Sequence, residues 1–248
     1  MHADVLLVIP ARLGSTRLRE KALRIIGQKP MIQHVYERAK EAGFPNIYVA
    51  TDSELIRIII ERIGGKVVMT DAEIPSGTER VYAAYKDLNL PNIKYIINLQ
   101  GDMPFIHPKN LVALAEGLKN STADITTLSA HVDKAYALSE SNVKVITDKH
   151  GRALYFSRSL IPHGGNNFLY HIGAYGFTTE ALEKFVRLPQ SYLEQTEKLE
   201  QLRALENGLQ IQVCEVNSVP ISVDTEEDLN KAINYYLEEF NIGNGGKG

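Results

Sequence analysis

Val5-Leu6-Leu7-Val8-Ile9 runs directly into Pro10-Ala11-Arg12-Leu13-Gly14-Ser15-Thr16-Arg17-Leu18-Arg19-Glu20-Lys21. Five consecutive aliphatic residues ended by a proline read as a strand buried on both faces, the kind found inside a parallel sheet. The polar loop behind it gathers Gly14, the hydroxyls of Ser15 and Thr16, and the cations Arg12, Arg17 and Lys21. A triphosphate needs this combination: backbone N–H groups that can approach closely, and cations that neutralise phosphate oxygens. On a helix, cations at this spacing would line one solvated stripe; on a loop they can surround a ligand. The competing reading is a plain basic surface loop. Neither GxxxxGK[ST] nor GxGxxG is present, so neither a P-loop NTPase nor a dinucleotide fold is supported.

Outward from this loop, Met31, Ile32, Val35, Tyr36 and Ala39 recur at helical spacing, and Gly43 closes that helix. Strands are expected at 47–50, 66–69 and 95–99, with helices at 55–63 and 77–88 between them. This alternation predicts an α/β fold: a three-layer αβα arrangement, with helices on both faces of a mostly parallel sheet. Ligands of such sheets sit beyond the carboxyl ends of the strands. The polar residues after Ile9, Ala50 and Leu99 all fall at that edge.

The middle of the chain reads differently. Stretches 125–132, 143–147, 153–156 and 170–177 look like strands without long helices between them, and Asp148-Lys149-His150-Gly151 is a hairpin-like turn. Residues of about 130–190 are therefore expected to form an inserted sub-lobe on a single domain spanning 1–242. A helix at 196–207 stopped by Gly208, a strand at 209–216 and a final helix at 226–240 complete the pattern. The glycine-rich tail 243–248 is expected to be disordered.

Composition narrows the function. The 248 residues carry a net charge of -3, which gives no footprint for nucleic-acid binding. The single cysteine, Cys214, suits a small core residue and cannot form an internal disulfide. No apolar run approaches the roughly 20 residues of a membrane span. With Asp4 following the start almost at once, no leader is expected, and a cytoplasmic location is expected.

At the loop 10–21 the chain resembles the nucleotidyltransferases with a Rossmann-like fold. Within them it is most similar to the 3-deoxy-manno-octulosonate cytidylyltransferases, or CMP-Kdo synthetases. The resemblance continues in order through Val49-Ala50-Thr51-Asp52, Ser76-Gly77-Thr78-Glu79-Arg80, Leu99-Gln100-Gly101-Asp102, Leu154-Tyr155-Phe156-Ser157-Arg158, His171-Ile172-Gly173, Leu199-Glu200-Gln201-Leu202-Arg203 and Val223-Asp224-Thr225. Each motif is weak alone; together they span nearly the whole chain in register. Two positions depart from the pattern: Arg19-Glu20 stand where Pro-Gly is expected, and Met103 stands where an acidic residue is expected.

The resemblance implies transfer of CMP from CTP to 3-deoxy-D-manno-octulosonate (Kdo), giving CMP-Kdo and pyrophosphate, for lipopolysaccharide biosynthesis. Arg12, Arg17 and Lys21 would hold the leaving phosphates. Pro10, Ala11, Arg12, Ser76, Gly77, Arg80 and Gln100 would frame the nucleotide. By residue type alone, Asp102 after a strand suits either a turn or Mg²⁺, and Asp224 before a helix suits an N-cap; the resemblance implies that both hold one Mg²⁺. Arg158, His171, Tyr175, Glu197, Glu200 and Gln201 are the candidates for the acidic sugar. Arg158 suits its carboxylate, and Glu197, Glu200 and Gln201 are expected on one helical face. No general base is evident. A homodimer through the sub-lobe is implied by resemblance only. The rival readings are a nucleotidyltransferase for another sugar or a polyol phosphate, and a non-catalytic nucleotide-binding regulator.

Overall fold

The computed structural model describes residues 2–14 and 18–241. Ser15, Thr16, Arg17 and the tail 243–248 lie outside the described residues. The strands are β1 (Val5–Ala11), β2 (Ile25–Ile26), β3 (Lys29–Pro30), β4 (Asn46–Thr51), β5 (Lys66–Met69), β6 (Tyr95–Asn98), β7 (Ile125–Val132), β8 (Lys144–Thr147), β9 (Ala153–Ser157), β10 (Phe168–Thr178) and β11 (Ile211–Glu215). The helices are α1 (Met31–Glu41), α2 (Glu54–Arg62), α3 (Gly77–Leu88), α4 (Pro108–Asn120), α5 (Lys134–Ala137), α6 (Thr179–Arg187), α7 (Tyr192–Glu197), α8 (Gln201–Glu206) and α9 (Glu226–Asn241).

All seven residues of β1 are buried, and it lies between β4 and β6, parallel to both. The sheet runs β11-β7-β10-β6-β1-β4-β5, with β8 and β9 extending from β10. β10 is antiparallel to β6, β7 and β8, and β9 is antiparallel to β8, so β9 and β10 run against an otherwise mostly parallel sheet. Side chains of a strand alternate between faces, and β1 divides accordingly. Val5, Leu7 and Ile9 pack with Ile32 and Val35 of α1, Ile56 and Ile60 of α2, and Leu111 and Leu114 of α4. Leu6 and Val8 pack on the other face with Val81 and Ala84 of α3, Leu182 and Phe185 of α6, and Leu202 and Ala204 of α8. These are the three layers.

The segment expected as a sub-lobe is continuous with this sheet: β7 and β10 run inside it, and β8 and β9 are its lateral extension. Three helices go beyond the sequence expectation: α4, the short α5 and α6. α4 has Pro108 in its first turn and the His107 ring accepting from Lys109 N. α6 starts at Thr178, whose hydroxyl accepts from Ala181 N.

The helix expected over 196–207 is instead two helices. Lys198 takes the left-handed conformation (φ 55°) and closes α7, so that α8 starts anew at Gln201. A buried ion pair staples the break: Arg203 Nε and Nη2 donate to Glu194 Oε2 and Oε1 at 2.8 and 2.5 Å. Glu197, Glu200 and Gln201 therefore do not share one helical face. A further small core of Leu18, Ile26, Met31, Val223, Leu229 and Ala232 folds α9 back onto the β2–β3 hairpin beside the loop after β1.

Candidate functional site

The carboxyl ends of β1 and β6 and the start of α3 enclose a cavity of about 300 Å³. It is lined by Pro10, Ala11, Arg12, Lys21, Ala22, Ile74, Pro75, Ser76, Gly77, Arg80, Gln100, Gly101, Asp102 and Asp224. The nucleotide candidates Pro10, Ala11, Arg12, Ser76, Gly77, Arg80 and Gln100 thus meet in one place, with Lys21, Asp102 and Asp224 beside them.

Local rules explain the walls. Ser76 caps α3, its hydroxyl accepting from Glu79 N at 3.1 Å, so the free N–H groups of the first turn face the cavity edge. Gly77 is a close approach: a Cβ there would lie 3.2 Å from Gln100 Oε1 and 3.4 Å from Pro10 Cγ. Leu13 N donates to Asp52 Oδ1 at 3.2 Å, which ties the loop after β1 to the end of β4.

Lys21 opens a 3₁₀ turn (Lys21–Leu23) and its Nζ lies 2.9 Å from Asp102 Oδ2 and 2.9 Å from Asp224 Oδ1. Burial works to lower the Lys21 pKa, and the two carboxylates outweigh it and hold the ammonium above its ordinary value. Asp224 is brought here by backbone: Val223 N donates to Asp102 O at 2.9 Å. The start of α9 is capped by Thr225 and Asp228, which bond each other reciprocally, so Asp224 is not the cap. Glu20, in the place where the resemblance expects glycine, takes a left-handed conformation (φ 51°) just before Lys21.

Two hard carboxylate oxygens that converge on one cation are the donor set Mg²⁺ takes when phosphates and water complete its shell. Among the described residues there is no group of three or more His, Cys, Asp or Glu side chains suited to a metal ion. The residues present therefore fit a metal shared with a ligand rather than an all-protein cage.

Arg80 is 2% exposed and is held below its ordinary pKa by burial, with Asp52 opposing. Its Nη1 donates to Thr70 Oγ1 at 2.5 Å, while Nη2 is buried without a hydrogen-bond partner. An unsatisfied buried donor costs roughly 1–3 kcal/mol, and this one belongs to a residue lining the cavity.

A hydrogen-bonded chain that sequence reading missed leads from this cavity to a second hollow. Gln100 Nε2 donates to Asn98 Oδ1 (2.8 Å), Asn98 Nδ2 to Thr78 Oγ1 (3.2 Å), and Thr78 Oγ1 to Glu200 Oε2 (2.6 Å). The hollow is lined by Thr78, Ile125, Tyr175, Phe177, Phe185, Glu200 and Gln201. Gln201 Nε2 is a second buried donor without a partner. Burial raises the Glu200 pKa against the hydrogen bonds of Thr78 and Ser76. His171 packs against Phe156 and Tyr175 with its Nε2 2.9 Å from Thr127 Oγ1, and burial pushes its pKa down to about 3, so it is neutral. A bulge in β10 between Ile172 and Tyr175 sets the offset between these two rings. Tyr175, half-buried, is held above its ordinary pKa by desolvation.

Arg158 and Glu197 stand apart from this group. Arg158 Nε donates to Glu197 O (2.8 Å), Nη1 to Glu140 O (3.1 Å) and Nη2 to Lys198 O (3.4 Å). The Glu197 carboxylate accepts from Ser157 Oγ and Arg158 N. So of the sugar candidates His171, Tyr175, Glu200 and Gln201 gather near the hollow, while Arg158 and Glu197 bond chiefly to one another's segments. Arg17 lies outside the described residues.

Comparison with known proteins places this geometry. Residues 6–211 match the family model described as cytidylyltransferase. A protein of Rickettsia massiliae named 3-deoxy-manno-octulosonate cytidylyltransferase is 54% identical over 243 residues, 98% of this chain and 99% of its own. Its counterpart in Rickettsia conorii matches equally, at 54% over the same shares. Among solved structures, CMP:2-keto-3-deoxy-manno-octonic acid synthetase complexed with CTP superposes with a TM-score of 0.90 at 38% identity, covering 96% of this chain and 100% of that one. On these matches the chain belongs to the cytidylyltransferase family.

Proposed function

We propose that this enzyme transfers CMP from CTP to Kdo, releasing pyrophosphate, as its relatives' names imply for them. The observation that carries the reading is the cavity at the strand ends, where two carboxylates, a lysine and Arg80, whose Nη2 has no hydrogen-bond partner, converge beside the capped start of α3. Kdo is an acidic eight-carbon sugar; its candidate contacts Tyr175, Glu200 and Gln201 lie one hydrogen-bonded chain away from that cavity, around a hollow of only about 10 Å³ that would have to widen to admit it.

The anomeric oxygen of the sugar attacks the α-phosphorus in line. A new O–P bond forms, the α–β anhydride bond breaks, pyrophosphate leaves, and the hydroxyl proton passes to solvent. Such transfers rest on positioning and charge stabilisation rather than on covalent catalysis. Pro10, Ala11, Ser76, Gly77 and Gln100 frame the nucleotide, and Arg80 supplies a donor to it. Arg12, Arg17 and Lys21 neutralise the departing phosphates. Asp102 and Asp224 would hold Mg²⁺, which when bound supplies charge neutralisation at the phosphate oxygens.

On the acceptor side, Glu200, Gln201 and Tyr175 meet the hydroxyls, with neutral His171 packed behind Tyr175. A specific observation favours a second reading: the Arg158 guanidinium is engaged by three backbone carbonyls rather than offered to a carboxylate. A neutral sugar or polyol phosphate would not need it.

The same reading carries a homodimer through segment 130–190, which exposes Leu138 and Leu154 at 61% and 59%. It also carries a cytoplasmic site of action supplying lipopolysaccharide assembly. No helix among the described residues is long and apolar enough to cross a membrane.

The test is pyrophosphate release with CTP, Mg²⁺ and each candidate acceptor. Release with Kdo and none with glucose 1-phosphate supports the reading. Equal release with both transfers the assignment to the second one.

A further inference from the structure

We propose that Lys21 is a resident, tethered cation of the Asp102–Asp224 pair that must be displaced before a divalent metal can bind. Metal and nucleotide then load together, in a protein that binds metal poorly alone. The inference rests on the reading that these carboxylates hold the metal.

The geometry is specific. Lys21 Nζ lies 2.9 Å from Asp102 Oδ2 and 2.9 Å from Asp224 Oδ1, so one ammonium serves two carboxylates from segments 122 residues apart. Those side chains are only 20% and 34% exposed, and Lys21 only 20%. Two like charges at this separation repel unless a cation lies between them. Mg²⁺ takes carboxylate oxygens at about 2.0–2.1 Å, so metal and ammonium claim the same space and the same oxygens. They exclude one another.

The competition is unequal while no nucleotide is present. Lys21 is attached to the chain, and its presence at the pair does not depend on concentration, whereas a metal ion must be drawn from solution and dehydrated. If the metal alone pushed Lys21 out, the ammonium would lose both acceptors with nothing to replace them. A triphosphate changes that balance. Lys21 and Arg12 line one cavity with Asp102 and Asp224, so a phosphate there gives the ammonium a new partner within reach of its own stem. The metal then inherits the carboxylates, and each ligand favours the other's binding, which is reciprocal by linkage. Lys21 would thus be a positioning residue for metal loading, in addition to any contact it makes with phosphate.

Binding of Mn²⁺, read by electron paramagnetic resonance of the free ion, tests this without turnover. The samples are wild type and Lys21→Met, both without nucleotide, with Lys21→Gln as a second neutral variant. The expected result is at least tenfold tighter Mn²⁺ binding by both variants than by wild type. That gain should vanish in Lys21→Met/Asp102→Asn. Variants that bind Mn²⁺ no tighter than wild type would overturn the proposal. A separate sample of wild type and Asp102→Asn with CTP and Mn²⁺ tests the underlying reading. Protein-bound Mn²⁺ lost in Asp102→Asn keeps the metal assignment standing even if the Lys21 variants show no gain. Its retention there would remove both.

Discussion

The Thr78 hydroxyl donates to Glu200 Oε2 at 2.6 Å, joining the first turn of α3 to the start of α8. Thr78 is 2% exposed, and its oxygen also accepts from Asn98. One hydroxyl therefore lines the hollow assigned to the acceptor and reaches the wall of the nucleotide cavity through Asn98 and Gln100.

Glu200 carries a pH signature. Burial raises its folded pKa above the ordinary carboxylate value, so between the unfolded and folded values the native state binds more protons than the unfolded one. Stability then falls as pH rises through that window, and the penalty persists at neutral pH. Glu200→Gln should raise Tm near pH 7 and lose that advantage on acidification through the window. Its kcat/KM for the sugar should drop roughly ten- to a hundredfold, the worth of one hydrogen bond to a charged group, about 1.5–3 kcal/mol. Thermal melts across pH, set beside sugar kinetics, check both halves.

Arg80→Lys should raise KM for CTP about tenfold or more while KM for the sugar stays near wild type. Lysine cannot reproduce the planar fork that bonds Thr70 and leaves Nη2 for a ligand. Titration calorimetry with CTP measures the loss directly. Unchanged CTP affinity would make Arg80 a structural partner of Thr70 and Asp52 only.

Glu194→Gln breaks a buried, bidentate ion pair and leaves Arg203 charged and underpaired. A loss of about 3 kcal/mol is expected, as for other half-removed buried pairs, seen as a lower denaturation midpoint in urea. Turnover should fall with it, because the pair holds the break that sets Glu200 and Gln201 after Lys198.

Glu20→Gly should be neutral or stabilising. A non-glycine residue in the left-handed region costs about 1–2 kcal/mol, and Glu20 has φ 51°; the added freedom of the unfolded chain offsets part of the relief. The chevron of folding and unfolding rates would report the change, with activity retained.

What was readable in the sequence follows how local each signal is. The run 5–9 announces a buried strand because five aliphatic residues suffice, and Ser76-Gly77 announces the start of α3 because a cap is a three-residue device. α4 was also within reach: Pro108 in the first turn and Leu111, Leu114 and Leu118 at helical spacing are local signals. The split between α7 and α8 was not, since a continuous helical pattern is interrupted by Lys198 in a conformation that lysine rarely takes, with the Arg203–Glu194 pair bridging the break. The chain Gln100–Asn98–Thr78–Glu200 was hidden for a different reason. Its last link crosses 122 positions, and nothing in any one of its residues announces the partner. The meeting of Asp102 and Asp224 at one cation was likewise implied only by resemblance, and it arises from the backbone bond of Val223 to Asp102.

That backbone bond has a consequence for biosynthesis. A ribosome makes the chain from its amino end, so Lys21 and Asp102 emerge long before Asp224, and Lys21 is 203 positions away from its second carboxylate. The small core that presses α9 onto the β2–β3 hairpin also awaits Val223, Leu229 and Ala232. A nascent or prematurely ended chain can therefore shape most of the cavity wall yet lacks one of its two carboxylates. On the reading that both carboxylates hold the metal, a chain ended before Asp224 should fold much of the sheet and still fail to turn over nucleotide.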